Sequence, residues 1–260
     1  MYNYLTNTGL KRSTEKPFVS RAENQQFSST GVLHFREEST NKILDALPTN
    51  ELARLLPFVE NINFSGGEVV YQPDDAVRYV YFPGTSVFSQ SQILEDGRMC
   101  EIAMTGREGL IGLPELLSCQ PTNYWTEVSI GGSAIRIEGY ILEREFKANG
   151  LLQTKIIEFV SRYIGQISQR VICNCHHQIK ERFCSWLLML EDRHGSNQFS
   201  LTQERIARFL GVHRPSLSCI AREFQESDVI SYSRGQFVIV NRRELKRLAC
   251  SCYMESQVIF

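Results

Sequence analysis

Residues 201–230 read LTQERIARFLGVHRPSLSCIAREFQESDVI, and two short helical patterns lie on either side of Gly211 and Val212. Thr202 is placed to cap the first helix, and Gly211 can end it because glycine adopts a positive φ without strain. Pro215 is tolerated in the first turn of the second helix, where its missing N–H has no intrahelical partner. Helices this short are unstable alone, so the stretch predicts a helix-turn-helix that packs on a larger core.

The second helix is predicted to have an exposed polar face. The residues on that face are His213, Arg214, Ser216, Cys219 and Arg222. Arginine and serine at the N-terminal end of a short helix are typical of base readout in the major groove of DNA. Residues 201–249 carry nine Lys or Arg against five Asp or Glu, whereas the whole chain has a net charge of -1. Because a locally basic segment positions phosphates, we predict binding to double-stranded DNA.

The spacing of hydrophobic residues divides the rest of the chain into strand-like and helix-like regions. Of its 260 residues, 42% are hydrophobic and 22% are charged, which is typical of a globular protein. Residues 61–137 read as short strands separated by turns, with hairpin signals at Asp96-Gly97 and Gly131-Gly132. Another hairpin is predicted about the turn at 233–236. The predicted fold class is α+β, with an N-terminal antiparallel β-roll or barrel, a long helix and a C-terminal winged helix-turn-helix.

The long helix carries two apolar stripes, which indicates two partners. One stripe is Ile156, Phe159 and Tyr163, and we expect it to pack on the barrel. The other has the three-four spacing of a coiled-coil seam and is expected to contact a second subunit; it consists of Ile157, Val160, Ile164, Ile167 and Val171. The alternative is an internal helix of a single core, because a sustained coiled coil needs more heptads than these.

These patterns give the predicted boundaries. They are a polar, disordered tail over 1–40, a sensor domain over 41–150, a dimerisation helix over 151–178, a winged helix-turn-helix domain over 179–253 and a second tail over 254–260.

From about Asn41 to Tyr253 the chain resembles the Crp/Fnr family of bacterial transcription regulators. The segments that carry the resemblance are LTQERIARFLGVHRPSLS, VYFPGTSVFS, GREGLIGLPELL and CNCHHQIKERFCSWLLML, in this family's order of barrel, dimer helix and winged helix-turn-helix. The resemblance implies a cyclic-nucleotide-binding-like barrel (a double-stranded β-helix) and a homodimer. It also implies a palindromic operator read by the recognition helix Arg214–Phe224, contact with RNA polymerase, and no enzymatic activity.

The resemblance assigns DNA-binding roles by position. Arg214 and Cys219 are expected at base edges, Ser216 and Ser218 at phosphates or bases, and Arg234 at the DNA backbone from the wing. The full set of predicted DNA contacts is Thr202, Gln203, His213, Arg214, Pro215, Ser216, Ser218, Cys219, Arg222 and Arg234.

The predicted effector pocket lacks a residue that cyclic nucleotides need. Family members that bind them hold the phosphate with a Gly-Glu pair and a downstream arginine. In GREGLIGLPELLSCQPTNYWTEVSI no arginine follows Arg107, and Tyr124 or Trp125 falls near its place. A buried phosphate without that partner is costly, so we expect no cyclic AMP, no cofactor and an effector of unknown kind, if any. The pocket residues are predicted to be Glu108, Leu110, Leu113, Tyr124 and Trp125.

The chain has eight cysteines, and neither a signal peptide nor an apolar run long enough to span a membrane is evident. We therefore expect a cytoplasmic protein with free thiols and no membrane partner. The N-terminal cysteine group of the family's iron–sulfur members is missing. The metal-like motifs CNCHH and CSC leave open an alternative, a metal- or thiol-redox-sensing regulator, with Cys173, Cys175, Cys250 and Cys252 as candidate ligands.

The sequence bears on two other classes of function, an enzyme and a protein-binding module. An enzyme is disfavoured because the sequence has no Gly-rich phosphate loop, nucleophile elbow or His-Glu metal motif. The candidate acids Glu108, Glu115 and Glu127 are interpreted as solvated surface carboxylates. A helix-turn-helix that contacts protein instead of DNA stays open, and the salt dependence of duplex binding distinguishes it.

Overall fold

The structure, a computed structural model, describes residues 11–12, 35, 41–118 and 120–259. Apart from Lys11, Arg12 and Phe35, the tail predicted over 1–40 lies outside the described residues. The strands of the N-terminal domain are β1 (Lys11–Arg12), β2 (Glu60–Phe64), β3 (Glu68–Tyr71), β4 (Tyr79–Pro83), β5 (Val87–Ile93), β6 (Met99–Thr105), β7 (Trp125–Ile130) and β8 (Gly132–Glu138). Its helices are α1 (Lys42–Asp45), α2 (Thr49–Leu55), α3 (Leu113–Ser118) and α4 (Gly139–Lys147), with a 3₁₀ turn at Leu56–Phe58.

The strands form two facing sheets with the orders β1-β3-β7-β5-β6 and β2-β8-β4. The hairpin predicted at Asp96-Gly97 is confirmed, because β5 and β6 pair antiparallel with Ile93 opposite Met99. The hairpin predicted at Gly131-Gly132 is wrong. β7 pairs with β3 and β5, whereas β8 pairs with β2 and β4, so the chain crosses here from one sheet to the other. A side chain at Gly131 would lie 2.7 Å from the carbonyl oxygen of Phe64, so glycine permits this close crossing.

Aromatic rings fill the space between the two sheets. Phe64 meets Phe88 edge to face with ring centroids 5.3 Å apart, and Tyr71 meets Tyr81 at 5.9 Å. Tyr79, Ile111, Val128 and Ala134 complete this buried cluster. Such pairs prefer edge-to-face contact because the positive ring edge faces the negative ring face. The barrel interior is therefore a packed core.

The long helix α5 (Leu151–His176) lies against the barrel through its first apolar stripe, as its spacing predicts. Ile156 and Phe159 are buried, and a side chain at Gly109 would lie 2.1 Å from the Phe159 ring, so glycine allows this approach. The second stripe faces outward in the single chain, where Ile157, Ile164 and Val171 are 55%, 59% and 60% exposed.

The C-terminal domain follows α5 without a long linker. Its elements are α6 (Ile179–His194), β9 (Gln198–Ser200), α7 (Gln203–Leu210), α8 (Arg214–Glu226), β10 (Ile230–Ser233), β11 (Gln236–Ile239), α9 (Arg242–Leu248) and α10 (Ser251–Ile259). The prediction of a tail over 254–260 is corrected, because α10 continues to Ile259. The physical reason is packing, since Cys252 and Tyr253 at the start of α10 are buried. Among the described residues, no helix is long and apolar enough to cross a bilayer.

A buried carboxylate connects the barrel, the long helix and the C-terminal domain. Glu101 on β6 is fully buried and accepts hydrogen bonds from Arg170 of α5, from the indole Nε1 of Trp186 on α6 at 2.9 Å, and from Ser89 of β5. Burial raises the pKa of Glu101, and the guanidinium of Arg170 opposes that effect. Removing one member of such a pair leaves an uncompensated buried charge.

We expect Arg170→Met to lower the free energy of unfolding by about 3–5 kcal/mol, because the carboxylate of Glu101 loses its partner. Urea unfolding at neutral pH measures this loss. The deficit should shrink on acidification: burial raises the folded-state pKa of Glu101, so the folded variant takes up a proton before the unfolded chain does.

The matched control is Arg247→Met, which removes an exposed arginine from a pair with Glu244 three residues earlier on α9. Its unfolding midpoint should stay near that of the unmodified chain, because exposed ion pairs contribute little. Equal losses in the two variants would contradict the assigned role of Glu101.

Candidate nucleic-acid interface

The two helices of the helix-turn-helix form as their sequence predicts. The hydroxyl of Thr202 accepts a hydrogen bond from the backbone N–H of Arg205 at 3.3 Å and caps α7. Gly211 ends α7 with a φ of 64°, in the left-handed region that favours glycine. Pro215 lies in the first turn of α8.

The apolar face of α8 is buried in the C-terminal core. Leu217, Ala221 and Phe224 are at most 1% exposed, and the ring of Phe224 stacks on Phe183 of α6 with centroids 5.9 Å apart. This packing fixes the rotation of α8 about its axis. The opposite face of the recognition helix is therefore held toward solvent.

Most of the predicted DNA-contacting residues share that exposed face. His213, Arg214, Pro215, Ser216, Cys219 and Arg222 are all exposed. Ser218 is half-buried, and its hydroxyl donates to the side chain of Gln203 at 2.8 Å, so it connects α8 to α7. Gln203, Ser218 and Arg222 also line an open groove of about 480 Å³ beside α8.

The wing is a three-stranded antiparallel sheet in the order β10-β11-β9. β9 is a strand that the sequence pattern did not reveal, because three residues are too few to show alternation. The turn between β10 and β11 is tight, with φ of 48° at Arg234 and 81° at Gly235. This geometry confirms the predicted hairpin and places the exposed Arg234 at its tip.

The nine basic residues of this segment do not all face solvent. Arg205 donates to the carboxylate of Glu127 and to the carbonyl of Val128, both at 2.8 Å, and so fastens α7 to strand β7 of the barrel. Arg208 contacts the sulfur of Met99 at 3.2 Å. By contrast, Arg214, Arg222 and Arg234 are exposed and form no ion pair within the part of the chain that the structure describes.

Two carboxylates interpreted from the sequence as solvated are buried, which corrects that interpretation. Glu127 is 3% exposed and pairs with Arg205. Glu108 is 8% exposed and pairs with Arg193 of α6 at 2.9 Å. No local pattern marks these pairs, because each arginine lies more than seventy residues away from its partner in the sequence.

The residues predicted for an effector pocket lie in different surroundings. Leu110 and Leu113 are buried in the core between the barrel and the helices α1, α2, α4 and α5. Glu108 is held by Arg193. Tyr124 and Trp125 are half-buried at the start of β7. A ligand that contacted all five would have to displace packed side chains.

A cluster of side chains that could bind a metal lies between the end of α5 and the start of α10. Cys173, His177, Cys250 and Cys252 bring one sulfur or nitrogen atom each to within 4.8 Å of one another. The prediction of Cys175 as a ligand is corrected: Cys175 is exposed and lies outside this cluster, whose fourth member is His177. The hydrogen bond from Cys173 lowers the pKa of Cys250, and the same contact raises the pKa of Cys173.

Comparison with known proteins agrees with this geometry. Residues 181–248 match the Crp-like helix-turn-helix domain. The chain is 20% identical over 182 residues to the Anaerobic regulatory protein of Bacillus subtilis (strain 168), covering 66% of this chain and 76% of that protein.

Solved structures share the fold. FixK2 from Bradyrhizobium japonicum superposes with a TM-score of 0.63 at 19% identity, over 74% of this chain and 98% of that one. A transcriptional regulator of the Crp/Fnr family from Eubacterium rectale gives a TM-score of 0.61 at 16% identity, over 80% of this chain and 97% of that one.

The cysteines of the described chain should differ sharply in reactivity. Cys184 is buried, and burial raises its pKa to about 12, whereas Cys175 and Cys219 are exposed. Because the thiolate is the nucleophile, brief treatment of the native protein with iodoacetamide should modify Cys175 and Cys219 and leave Cys184 intact. Peptide mass spectrometry measures the three yields, and unfolding in urea should equalise them. Native labelling of Cys184 at the rate of Cys219 would contradict the packing of α6.

Proposed function

We propose that the chain is a transcription regulator of the Crp/Fnr type, which acts in the cytoplasm as a homodimer bound to a palindromic operator; the match of residues 181–248 to the Crp-like helix-turn-helix domain supports this assignment. The observation that carries this proposal is the exposed face of α8, with Arg214 at its N-terminal end and Arg234 on the adjacent wing. A helix with one face fixed in a core and a free basic face fits the major groove.

The contacts divide by the chemistry of each side chain. Arg214 and Cys219 read base edges, because both lie on the exposed face of α8, with Arg214 as its first residue. Five residues approach the sugar-phosphate backbone of DNA from the starts of the two helices; they are His213, Pro215 and Ser216 at α8, and Thr202 and Gln203 at α7. Arg222 and Arg234 neutralise phosphates. Ser218 supports this face through Gln203.

Dimerisation is supported by the outer stripe of α5. Three apolar side chains of that stripe are more than half exposed in the single chain, while Val160 and Ile167 are partly covered. A second copy of the helix would bury the row in a coiled-coil seam. The two-fold axis of the dimer would then place the two recognition helices at half-sites about 34 Å apart, which is one turn of DNA. RNA polymerase is the further partner that this type of regulator implies.

Two observations support an effector other than cyclic AMP. No arginine follows Arg107 before Arg136, so the site near Tyr124 lacks the guanidinium that a buried phosphate needs. The space between the two sheets is also filled by aromatic rings, including Phe88 and Tyr81. An anionic ligand there would replace apolar contacts without gaining a charged partner.

We expect Arg214→Ala to weaken binding to the cognate operator by about 1–3 kcal/mol and to relax base preference at the position it reads. Operator selection from a random pool, followed by titration of the selected duplex, gives both quantities. The matched control is Arg98→Ala, which removes an exposed arginine from the β5–β6 turn and should leave both unchanged.

Protection of cysteines supplies a second readout of the same interface. Operator DNA should protect Cys219 on α8 from iodoacetamide while Cys175 at the end of α5 stays reactive. If Arg214→Ala keeps the original sequence preference, its base-reading role is refuted. Binding that is insensitive to salt would instead favour a protein partner, because phosphate neutralisation releases counterions.

Replacing Ile164 and Ile167 by glutamate should dissociate the dimer, because each charge would have to enter an apolar seam. Sedimentation velocity measures the change from dimer to monomer. Leu94→Glu is the control, since Leu94 is also apolar and 56% exposed but lies on a turn of the barrel. A double variant that sediments as a dimer would refute the seam.

A further inference from the structure

We propose that Cys173, His177, Cys250 and Cys252 bind one Zn²⁺ ion in a tetrahedral Cys₃His site. Zinc takes four ligands of this kind in closed structural sites. Each of the four residues offers a single ligand atom, and these atoms all lie within 4.8 Å of one another. The sequence alone does not bring them together, because 73 positions separate His177 from Cys250.

The spacing of the ligand atoms fits one ion. Bonds of about 2.3 Å to sulfur and about 2.0 Å to nitrogen give tetrahedron edges of roughly 3.8 Å between two sulfurs and roughly 3.5 Å between sulfur and nitrogen. In the structure, the sulfurs of Cys173 and Cys250 are 3.6 Å apart, and the sulfur of Cys252 is 3.3 Å from Nδ1 of His177. Small side-chain rotations would complete the site.

The backbone presents the ligands in two pairs. Cys173 and His177 are four residues apart, one turn at the end of α5, so they lie on the same face of the helix. His177 is the C-cap, and its extended backbone turns the chain into α6. Cys250 and Cys252 come from the junction of α9 and α10, where both side chains are buried against α5 and α6.

Hydrogen bonds from neighbouring side chains orient two of the ligands, as is usual in zinc sites. The side-chain amide of Gln169 donates to the sulfur of Cys252 at 3.0 Å. The hydroxyl of Ser185 on α6 lies 3.0 Å from the sulfur of Cys250. Cys173, Cys250 and Cys252 are each 5–6% exposed, so the site is closed to bulk water on its sulfur side.

Other occupants fit the site less well. An iron–sulfur cube binds each ligand to a different iron and needs the sulfurs farther apart than a single ion does. Cu⁺ also accepts thiolates, but a closed set of three thiolates and one imidazole is typical of structural zinc. A disulfide between Cys173 and Cys250 would require their sulfurs to approach from 3.6 Å to about 2.0 Å and would leave His177 and Cys252 without a common role.

The location of the site gives the ion a consequence for regulation, and this step rests on the proposed function. The ion would join the last turn of α5 to the segment that follows the wing, across the turn at His177 and Gln178. Occupancy would therefore restrict how far the helix-turn-helix can swing relative to the dimer helix, and with it the separation of the two recognition helices.

The test is metal analysis of the full-length protein, purified under reducing conditions and without added chelator. We expect one zinc per chain by mass spectrometry of the metal. Cobalt added to the stripped protein should give the strong visible absorption of tetrahedral thiolate coordination. Cys250→Ser and His177→Ala should lose the metal, whereas the controls Cys175→Ser and Cys219→Ser should retain it, because those two cysteines are exposed and outside the cluster.

A milder variant distinguishes loss of the metal site from loss of the fold. Gln169→Leu keeps all four ligands and removes one supporting hydrogen bond, so it should weaken zinc affinity by roughly 10- to 100-fold in a chelator competition. Iron with acid-labile sulfide, a Cys173–Cys250 disulfide that persists in reductant, or a folded wild-type protein that binds neither zinc nor cobalt would each overturn the site.

Operator binding is measured separately, with zinc-loaded and stripped protein. A change in operator affinity on removal of zinc, absent in Cys250→Ser, supports regulation through the site. Equal affinity in both forms overturns the regulatory step and leaves the metal site standing. Failure of every form to bind DNA, with one zinc bound, refutes the proposed function alone.

Discussion

One buried carboxylate, that of Glu101, fixes the relative positions of the barrel, the long helix and the C-terminal domain. Glu101 lies within a β-sheet, yet its hydrogen-bond partners come from β5, from the long helix through Arg170, and from α6 through Trp186. A buried ion pair contributes little net stability compared with apolar packing, but it penalises every arrangement in which its members separate. The position of the DNA-binding domain relative to the barrel is therefore specified by a charge, and not only by apolar contact that could slide.

The same arrangement shows where the barrel can influence the rest of the chain. Its interior is filled by aromatic rings, whereas its outer face, through Val87, Met99, Met104 and Ile130, shares one core with the helix-turn-helix. Arg205 of α7 adds an ion pair with Glu127 of β7. Because Arg205 donates to Glu127 and to the carbonyls of Val128 and Ser129, it is not available to a phosphate, and fewer basic residues are free to contact DNA than the sequence count suggests. The exposed arginines that remain include Arg214 and Arg222 on α8 and Arg234 at the tip of the wing.

How far the sequence predicts this structure depends on the range of each interaction. The cap at Thr202, the end of α7 at Gly211 and the β5–β6 hairpin follow from local backbone preferences, and all three are present. The glycine pair at 131–132 carries the same local signal but crosses between sheets, because pairing partners are chosen by the whole barrel. The buried carboxylates Glu101 and Glu127 could not be identified, since nothing nearby in the sequence marks the arginines that neutralise them.

The cysteine cluster lies between these extremes, and helix geometry explains why. Residues two apart on a helix point to nearly opposite sides, so the CNCHH motif could never offer Cys173 and Cys175 to one ion; residues four apart share a face, which selects His177. What periodicity cannot supply is the second pair, which reaches the site only because α10 packs back on α5. Arg170 and Cys173 are neighbours three residues apart on that helix, one bound to the barrel and the other beside the C-terminal thiols. The last turns of α5 thus receive restraints from both domains, and a change at either restraint acts on the same short stretch of helix before the chain turns at His177.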